Sequence, residues 1–344
     1  MMKALCLQDY NKLELVERPK PECAPNEVLI RVKACAICGS DVHGFAGRTN
    51  RRIPPVIMGH EAAGYIEEIG TLVHRYKKGD RVVFNSSLFC GSCYYCRRGM
   101  ENLCTDAKVY GVHCDTYHLD GAMAEYVCVP EHILYRLPET LDYVHGALIE
   151  PLSIALHAVM RTRLQIHETA AVIGSGPIGM MLVKALRAAG VNQVAVVDID
   201  DSRLSLAQKA GATLCINSAE EDPAQRITES FGALADHAFE AVGAAATINI
   251  AIDCVRKGGT VTIVGNAAAC GEIAFQQIVL KELTMYGSYA CANEYELALA
   301  TLADGQIKID DILSRTAPLE QAQMWFERLV AREKGLLKVV LTFD

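Results

Sequence analysis

The sequence has no apolar run long enough to cross a membrane and no excess of positive charge. A membrane-spanning helix needs roughly 18 apolar residues in a row, and no apolar segment of the chain reaches that length. Lysine and arginine together number 33, against 41 aspartate and glutamate residues, so the net charge at neutral pH is -8. This balance argues against a general nucleic-acid-binding or membrane-binding surface.

The first residues do not have the pattern of a secretion signal. Asp9, Lys12 and Glu14 interrupt them before an uncharged core can form. We therefore expect a cytoplasmic protein. The chain has no internal repeat or low-complexity segment. Its 344 residues, of which 51% are hydrophobic and 22% charged, are typical of a globular protein with a sizeable core.

The pattern of apolar residues changes near the middle of the chain. Residues 1–147 contain short alternating or β-branched stretches, such as 27–34 and 80–85, separated by glycine, proline and polar turns. This pattern predicts an irregular, mostly β domain. From Ala170 onward, strand-like segments alternate with helical ones, which predicts an α/β fold with a doubly wound parallel sheet. The tail, from about residue 293, predicts two helices and a last strand that could return to the first domain.

Fourteen cysteines are spread along the chain. In a reducing compartment, metal binding explains such cysteines better than disulfides do. Nine of them stand alone among apolar or mixed neighbours, which predicts that they behave as small buried hydrophobic side chains. These nine are Cys6, Cys23, Cys35, Cys114, Cys128, Cys215, Cys254, Cys270 and Cys291. The remaining five belong to two patterns.

Cys90, Cys93, Cys96 and Cys104 follow the spacing C-x2-C-x2-C-x7-C in one loop. Four thiolates this close can surround a tetrahedral zinc ion and leave no open coordination position, so the spacing predicts a structural zinc site. The alternative is four thiols without a metal. A zinc loop alone would also suit nucleic-acid or protein binding, for which the two arginines after Cys96 are suitable. The acidic balance of the rest of the chain argues against that use.

A second ligand pattern combines Cys38, in CGSDVH, with His60 and Glu61, in GHE. These residues offer sulfur, nitrogen and oxygen ligands from separate loops. Such a mixed set typically leaves a position on zinc for water or substrate. Taken alone, His60 would suit an ordinary turn histidine. Together with Cys38 and a separate four-cysteine loop, it predicts a catalytic zinc site.

A glycine-rich motif, Gly174-x-Gly176-x-x-Gly179, follows a strand-like segment and opens a helical one. In this context the glycines let the backbone approach a pyrophosphate, and the helix N-terminus supplies N–H groups. Asp198 ends the next strand-like segment, about 20 residues further on. Its carboxylate would accept hydrogen bonds from the ribose hydroxyls of NAD and repel the 2′-phosphate of NADP. The alternative is a tight turn without a cofactor.

With these motifs, the sequence resembles the zinc-dependent medium-chain alcohol dehydrogenases, and within them the branch of polyol, sugar-acid and threonine dehydrogenases. The resemblance runs nearly end to end and includes ALIEPLSIALHAV (147–159), GSGPIG and KELTMYGSY (281–289). It implies a β-rich, GroES-like catalytic domain at 1–147, completed by 293–344, and an NAD-binding Rossmann domain at 148–292. It also implies one catalytic and one structural zinc ion per chain, and a homo-oligomer, either a dimer or a tetramer.

The resemblance also implies roles for individual residues. Cys38, His60 and Glu61 would hold the catalytic zinc ion, with Glu150 as a nearby or exchanging ligand. Animal liver-type alcohol dehydrogenases have a cysteine where this chain has Glu150, so the difference points away from simple alcohols such as ethanol. The residues expected to contact the cofactor are Gly174, Gly176, Pro177, Ile178, Gly179, Asp198 and Arg203.

Three further residues would serve proton transfer and ligand orientation. Ser40 would take the proton of the alcohol, and His43 would pass it to bulk water. Asp41 looks like a carboxylate that holds the zinc-binding His60 by its other ring nitrogen. The alternatives are a turn hydroxyl for Ser40, an exposed polar residue for His43 and a loop-capping carboxylate for Asp41.

One segment departs from the pattern of the sugar-acid relatives. It reads GVHCDTYHLDGAMAEY at 111–126, with extra residues between His113 and Gly121. Arg48, Arg51 and Arg52 stand before the GHE segment, where they would meet an anionic substrate or, more often for such a cluster, form a solvated face.

The sequence therefore predicts a zinc enzyme that passes a hydride from a secondary alcohol of a polyol or sugar acid to NAD and gives the ketone. Its partner is a small molecule: a polyol, an aldonate or a sugar phosphate. The alternatives within enzymes are an L-threonine 3-dehydrogenase-like activity and a sugar-alcohol-phosphate dehydrogenase. The alternative of another class is a non-enzymatic protein that binds zinc and nucleotide for interaction or sensing.

Overall fold

In the computed structural model, which describes residues 1–344, the chain divides into two units. The first unit consists of Met1–Glu150, Tyr295–Ala303 and Leu313–Asp344. The second consists of Pro151–Glu294 and Asp304–Ile312. No helix in the structure combines the length and the apolar character that a membrane span requires.

The N-terminal part of the first unit is built mainly of strands, because its apolar residues alternate with polar ones over short stretches. Two short helices follow the third and the last of these strands. The elements are β1 (Met2–Asp9), β2 (Lys12–Arg18), β3 (Glu27–Ala36), α1 (Gly39–Phe45), β4 (Val56–Ile57), β5 (Glu61–Ile69), β6 (Arg81–Phe84), β7 (Ser87–Leu88), β8 (Lys108–Val109), β9 (Val112–Cys114), β10 (Tyr117–Leu119), β11 (Tyr126–Pro130), β12 (Leu134–Arg136) and α2 (Tyr143–Ala147).

The middle of the chain alternates between helices and strands. Its elements are α3 (Ile149–Arg161), β13 (Ala170–Ile173), α4 (Pro177–Ala188), β14 (Val194–Asp198), α5 (Asp201–Ala210), β15 (Leu214–Asn217), α6 (Pro223–Phe231), β16 (Ala235–Glu240), α7 (Ala245–Cys254), β17 (Val255–Ile263), α8 (Phe275–Leu280) and β18 (Thr284–Gly287). The C-terminal elements are α9 (Glu294–Ala303), β19 (Leu313–Pro318), α10 (Ala322–Val330) and β20 (Lys338–Thr342).

Strand β3 is the centre of the main sheet of the first unit. It pairs antiparallel with β5, β11 and β20, so the last strand of the chain completes a sheet begun near the N-terminus. The sheet runs in the order β12-β6-β5-β3-β20-β19, with β11 also on β3. Val28, Ile30 and Val32 of β3 pack into a core that includes Phe326 and Leu341 from the C-terminal segment. This packing fixes the position of β20.

The second unit contains six parallel strands in the order β15-β14-β13-β16-β17-β18. The strand order reverses on either side of β13, and in such sheets ligands bind beyond the carboxyl ends of the strands at this reversal. The loop 174–176 follows β13 and therefore lies at that point. The parallel sheet and the β-rich first unit confirm the expected fold class.

Short local signals set the starts of the helices in this second unit. Pro177 occupies the first turn of α4, where its missing N–H has no helical partner to lose. The side chains of Asp200 and Asp222 accept hydrogen bonds from backbone N–H groups at the starts of α5 and α6. Such caps typically stabilise a helix by about 1 kcal/mol each.

The prediction that the nine isolated cysteines are buried is only partly correct. Cys6, Cys35, Cys254 and Cys291 are buried, whereas Cys270 is exposed. The other four, Cys23, Cys114, Cys128 and Cys215, are partly exposed. None of the fourteen cysteines forms a disulfide in the structure.

Candidate active site

The four cysteines of the loop at 90–104 converge on one point. Their sulfur atoms all lie within 4.8 Å of one another. Backbone N–H donation from Cys96 lowers the pKa of Cys93 to about 5, whereas lost hydration and the neighbouring thiols raise the pKa of Cys96 to about 12. Four thiolates at this separation repel one another, so a fully deprotonated cluster requires a cation. The donor set fits a structural zinc ion.

A second donor cluster unites Cys38, His60 and Glu61. Cys38 stands at the N-terminus of α1, whereas His60 and Glu61 lie at the start of β5. One ligand atom from each residue lies within 4.8 Å of the others. The chain reaches His60 through Gly59, where only glycine fits easily. Its φ is +97°, and a Cβ there would lie 2.7 Å from the sulfur of Cys35. The thiolate, imidazole and carboxylate groups of this cluster fit a catalytic zinc ion.

A buried carboxylate stands behind His60. The Oδ1 atom of Asp41 lies 3.5 Å from Nδ1 of His60, and the backbone N–H of Cys38 donates to Oδ2 at 3.3 Å. Burial alone would raise the pKa of Asp41, but His60 and Arg52 lower it below the ordinary range. The side chain of Asp41 is completely buried. The structure therefore brings Asp41 to the place that the sequence predicts for it.

Arg52 corrects one sequence-based expectation. Arg48 and Arg51 are exposed, as a solvated face requires, but Arg52 is only 3% exposed. Its Nε and Nη2 atoms donate to Oδ1 of Asp41 at 3.1 Å and 2.9 Å. The side chain turns inward because Asp41 offers a buried charge partner, so Arg52 belongs neither to the solvated face nor to an anion-binding surface.

A buried lysine contacts Glu61. The Nζ atom of Lys338, at the start of β20, lies 2.7 Å from Oε1 and 2.5 Å from Oε2 of Glu61. Only the contact to Oε1 has hydrogen-bond geometry, which leaves Oε2 without a hydrogen-bond partner. Burial opposes the charge on Lys338, but Glu61 and Cys38 raise its pKa. The Oε2 atom of Glu61, buried without a hydrogen-bond partner, is suited to bind a metal ion.

Glu150 lies near this cluster but is not one of its three close donors. Its Oε1 accepts a hydrogen bond from the hydroxyl of Ser86 at 2.8 Å, and the residue is 7% exposed. Burial raises the pKa of Glu150 to about 7, with His60 opposing and Glu61 adding to the shift. Glu150 is therefore a buried carboxyl group bonded to Ser86, whose pKa responds to the charges of His60 and Glu61.

Ser40 and His43 both lie on α1 and are exposed. The Nη2 atom of Arg52 lies 3.5 Å from the hydroxyl oxygen of Ser40. His43 occupies the last turn of α1, three residues after Ser40. Residues three apart share one side of a helix. The structure therefore leaves both side chains open to solvent on the helix that begins beside Cys38.

The glycine loop after β13 has the shape that a pyrophosphate requires. Gly174 has a φ of +96°, and a Cβ at Gly179 would lie 1.9 Å from the carbonyl oxygen of Gly174, so strand and helix meet closely there. A Cβ at Gly176 would meet nothing within 4 Å. Gly176, Pro177 and Ile178 are partly exposed at the start of α4. The loop fits a dinucleotide, since the backbone at Gly176 is open at the N-terminus of α4.

Asp198 is held in place by the same loop. Its Oδ2 accepts from the backbone N–H and the hydroxyl of Ser175, at 2.7 Å and 2.6 Å. Its Oδ1 accepts from the N–H groups of Ile199 and Asp200. Arg203 lies in the first turn of α5, where its backbone N–H donates to Asp200, and its side chain is partly exposed. Asp198 thus joins the end of β14 to the glycine loop.

The extra residues of the segment at 111–126 form a small hairpin. Strands β9 and β10 pair antiparallel, and the rings of His113 and His118 stack with their centroids 4.2 Å apart. A ring nitrogen of His113 lies 2.7 Å from the carbonyl oxygen of Ile53, and Arg52 and His113 are bridge partners. The insertion therefore contacts the segment that carries Arg52.

Comparisons with known proteins give matches over both parts of the chain. Residues 24–139 match the alcohol dehydrogenase GroES-like domain, and residues 177–304 match the zinc-binding dehydrogenase family. A sorbitol dehydrogenase of Bacillus subtilis is 36% identical over 351 residues, which cover 99% of this chain and 97% of that one. An L-idonate 5-dehydrogenase of Vitis vinifera is 32% identical over 310 residues, which cover 88% and 83%.

The fold also matches solved structures. An alcohol dehydrogenase of E. coli CFT073, solved in complex with NADH, aligns with a TM-score of 0.92 and 29% identity, over 99% of each chain. The chain belongs to the zinc-dependent medium-chain polyol dehydrogenase family. The predicted family and the predicted class of enzyme, an oxidoreductase, are therefore confirmed. The activities named for these polyol dehydrogenase relatives agree with the predicted function.

For this polyol dehydrogenase family member, the motifs point to the candidate donor residues but not to the buried cations beside them. Lys338 and Arg52 contact Glu61 and Asp41, and neither was predicted to do so. The one available signal for Lys338 is its position inside the apolar strand LLKVVLTF, where a lysine needs a buried partner. Ser86, the partner of Glu150, has no signal in the sequence.

Proposed function

We propose that this protein oxidises a secondary alcohol of a polyol or sugar acid to the ketone, with zinc at Cys38, His60 and Glu61 and with NAD as the hydride acceptor. The observation that carries the proposal is the convergence of thiolate, imidazole and carboxylate donors beside Ser40 in a member of the polyol dehydrogenase family. The sorbitol and L-idonate activities in the names of the relatives support the substrate class.

Residues of the first unit would bind the metal and move the proton. A zinc ion in the cluster supplies the Lewis acidity that favours loss of the substrate's hydroxyl proton. The hydroxyl of Ser40 would accept that proton while it gives up its own toward His43, and His43, also exposed on the same helix, would release a proton to solvent. Asp41 orients His60 through Nδ1. Cys90, Cys93, Cys96 and Cys104 hold the structural zinc ion.

Glu150 makes the wall of the site polar. Its buried carboxyl group accepts a hydrogen bond from Ser86, and the charges of His60 and Glu61 act on its pKa. We assign it the role of a nearby ligand that is able to exchange with Glu61. A polar wall suits a chain of vicinal hydroxyls, and a site of this kind rejects analogues without hydroxyls because its own polar groups would be left unpaired.

The second unit would bind NAD. Gly174, Gly176, Pro177, Ile178 and Gly179 form the cradle for the pyrophosphate, since Gly176 faces open space at the start of α4. The carboxylate of Asp198 would accept from the ribose hydroxyls, and Arg203 lies close enough in sequence to affect discrimination against NADP. The nicotinamide ring supplies the hydride acceptor. We propose residues 148–292 as the NAD-binding domain and 1–147 with 293–344 as the catalytic domain, with Asp304–Ile312 of the latter belonging to the second unit.

A phosphorylated sugar alcohol is the second candidate substrate. Arg48 and Arg51 are exposed on the segment after α1, where they are able to meet an anion. Arg52 offers no such contact because Asp41 occupies its guanidinium group. A phosphate preference that disappears in Arg51→Ala would favour this candidate over a neutral polyol.

A substrate panel tests the proposal. Sorbitol, L-idonate, a pentitol phosphate, L-threonine, 2-butanol and ethanol are compared with NAD by the absorbance of NADH. We expect the best polyol or sugar acid to exceed 2-butanol by up to roughly 10⁴-fold in kcat/KM, and Ser40→Ala to lower kcat. Highest efficiency with short alcohols contradicts the proposal. L-Threonine in first place indicates a threonine dehydrogenase, and no turnover with a filled zinc site indicates a binding protein.

Assembly and location form a further part of the proposal. Strand β18 is an edge of the parallel sheet, and the helix α8 before it exposes Phe275, Val279 and Leu280. An unpaired edge strand beside exposed apolar side chains is suited to a second copy of the chain, so a homodimer or homotetramer is proposed. The fourteen cysteines without a disulfide support a reducing compartment, the cytoplasm.

A further inference from the structure

Arg52 links three groups of the candidate active site through one guanidinium group. Its Nε and Nη2 atoms donate to Oδ1 of Asp41 at 3.1 Å and 2.9 Å. Nη2 also lies 3.5 Å from the hydroxyl oxygen of Ser40 and 3.5 Å from Nδ1 of His60. Its Nη1 donates to the carbonyl oxygen of Arg51 at 3.1 Å, which anchors the other arm of the group.

This arginine is built into the interior of the first unit. The residue is 3% exposed and its partner Asp41 is fully buried. Space for the side chain comes from Gly44 of α1, because a Cβ there would lie 2.1 Å from Cγ and 2.5 Å from Cβ of Arg52. Removal of one partner from a buried ion pair leaves an uncompensated charge. The contact is therefore a fixed part of the site.

We propose that Arg52 is a positioning residue for the catalytic zinc site, because it holds Asp41 in the place from which that carboxylate orients His60. Without Arg52, the remaining contacts of Asp41 would be long: 3.5 Å from Oδ1 to Nδ1 of His60 and 3.3 Å from Oδ2 to the backbone nitrogen of Cys38. The two shorter bonds from Arg52 fix Oδ1 on the Nδ1 side of the imidazole. His60 then keeps Nδ1 toward Asp41 and its other nitrogen free for the metal.

The inference rests on the proposed role of Cys38 and His60 as zinc ligands. Carboxylate partners of metal-binding histidines typically change metal affinity by roughly 10-fold to 100-fold when they are altered. We expect a similar effect from Arg52→Met, because Arg52 holds the carboxylate that contacts His60. The substitution removes both the positive charge and the N–H donors of the guanidinium group. Arg52→Lys retains the charge without the fork and should give an intermediate effect.

The experiment measures zinc release from the complete protein to an excess of chelator. The four-cysteine loop serves as an internal control, because it does not contact Arg52, so one of the two zinc ions should leave at an unchanged rate. The other zinc ion should leave roughly 10-fold to 100-fold faster in Arg52→Met. Arg51→Met is the matched control, since the neighbouring side chain is exposed, and it should release both ions as the unsubstituted protein does.

A second variant displaces Arg52 without changing it. Gly44→Ala places a methyl group where the side chain of Arg52 lies, whereas glycine to alanine within a helix otherwise favours the helix. Faster loss of the same single zinc ion in Gly44→Ala supports the proposal even if Arg52→Met does not fold. Cobalt substituted at the catalytic site should show altered d–d absorption bands in both variants, which a purely structural role would leave unchanged.

The outcomes separate this inference from the proposed function. Equal or slower release of the catalytic zinc ion, with unchanged cobalt bands, in Gly44→Ala and in folded Arg52→Met overturns the role of Arg52. Cys38→Ala measures the site itself and should contain one zinc ion instead of two. If Cys38→Ala retains both ions, the proposed ligand set fails instead, whatever the result for Arg52.

Discussion

The ammonium group of Lys338 and the carboxylate of Glu61 form a buried ion pair, although 277 residues separate them in the sequence. Both side chains are at most 2% exposed. The pair forms because β20 returns to β3 and carries Lys338 into the sheet beside the first residue of β5. Glu61 is also one of the three close donors of the candidate zinc site. Lys338 and a metal ion are thus alternative positive partners of one carboxylate.

This relationship predicts that Lys338→Met destabilises the zinc-free protein more than the zinc-loaded protein. Without zinc, the substitution leaves Glu61 as a buried charge with no cation, which typically costs roughly 3–5 kcal/mol. With zinc, the metal remains as a partner and the loss should be clearly smaller. Urea unfolding of both proteins in both metal states measures the difference, and the structural zinc contribution cancels within each state.

The double variant Glu61→Gln/Lys338→Met is the control for this prediction. It removes both charges, so most of the stability lost in the zinc-free Lys338→Met protein should return. Equal losses with and without zinc would show that the lysine and the metal are not alternative partners of Glu61.

The sequence predicts the parts of the site whose signals are local. The cysteine spacing at 90–104 and the glycines at 174–179 lie within single loops, so the geometry of one turn is enough to relate them. The contact between Lys338 and Glu61 depends on strand pairing across most of the chain, and no spacing rule describes it. Arg52 stands in a run of charged residues that is typical of a surface, and its burial depends on the space above Gly44.

The ends of the elements are less predictable than their types. Strand β17 begins at Val255, directly after α7 ends at Cys254. The charged and glycine residues at 256–259 have the composition of a turn. They remain in the strand because an irregularity in the pairing with β16, between Ala235 and His237, absorbs them.

The two donor clusters predict about two zinc ions per chain. Cys38→Ala should lose one zinc ion and turnover. It should remain folded, because the surrounding sheet still holds the remaining donors, His60 and Glu61. Cys96→Ala should lose the other ion and mainly lower the stability of the loop. Metal analysis by plasma emission, with circular dichroism for folding, checks both variants. A single zinc ion in the unsubstituted protein, purified without chelator, would contradict the assignment of two sites.

Asp198 predicts a preference for NAD over NADP. Its carboxylate lies at the end of β14, where the backbone N–H and the hydroxyl of Ser175 orient it. Asp198→Ala should lower kcat/KM with NAD and raise kcat/KM with NADP, so the ratio of the two values should fall. Ser175→Ala is the control, because it retains the negative charge and should retain the preference. Equal use of both cofactors by the unsubstituted enzyme would show that Asp198 does not face the ribose.

Glu294 predicts a pH-dependent contribution to the stability of the second unit. Its Oε1 lies 2.8 Å from Nδ1 of His157, and its Oε2 accepts from the N–H of Ala292 at 2.7 Å. Burial opposes ionisation, but His157 and Ala292 lower the pKa of Glu294. Because the pKa of Glu294 is lowered in the folded state, its ionised carboxylate stabilises the protein at pH values above the pKa of the unfolded state. This stabilisation is lost as the pH falls through the pKa of the folded state.

Glu294→Gln should therefore destabilise the protein by about 1–3 kcal/mol at neutral pH. The difference from the unsubstituted protein should shrink as the pH falls below about 4.3, the ordinary range of a glutamate. Urea unfolding at a series of pH values checks this trend. A difference that stays constant across the series would assign the effect to packing instead of charge.

A methyl group added to the glycine loop should lower the stability at Gly179 and the affinity for NADH at Gly176. In Gly179→Ala the Cβ would lie 1.9 Å from the carbonyl oxygen of Gly174, so strand β13 and helix α4 must separate. Such overpacking typically costs 1–3 kcal/mol or more, and unfolding in urea should show it directly at roughly that size.

In Gly176→Ala the methyl group meets no protein atom within 4 Å, so the stability should change by less than about 0.5 kcal/mol. The affinity for NADH, measured by fluorescence, should nevertheless fall by roughly 10-fold or more, because the methyl group occupies the space through which the pyrophosphate approaches the backbone. Unchanged NADH affinity in folded Gly176→Ala would place the cofactor away from this loop.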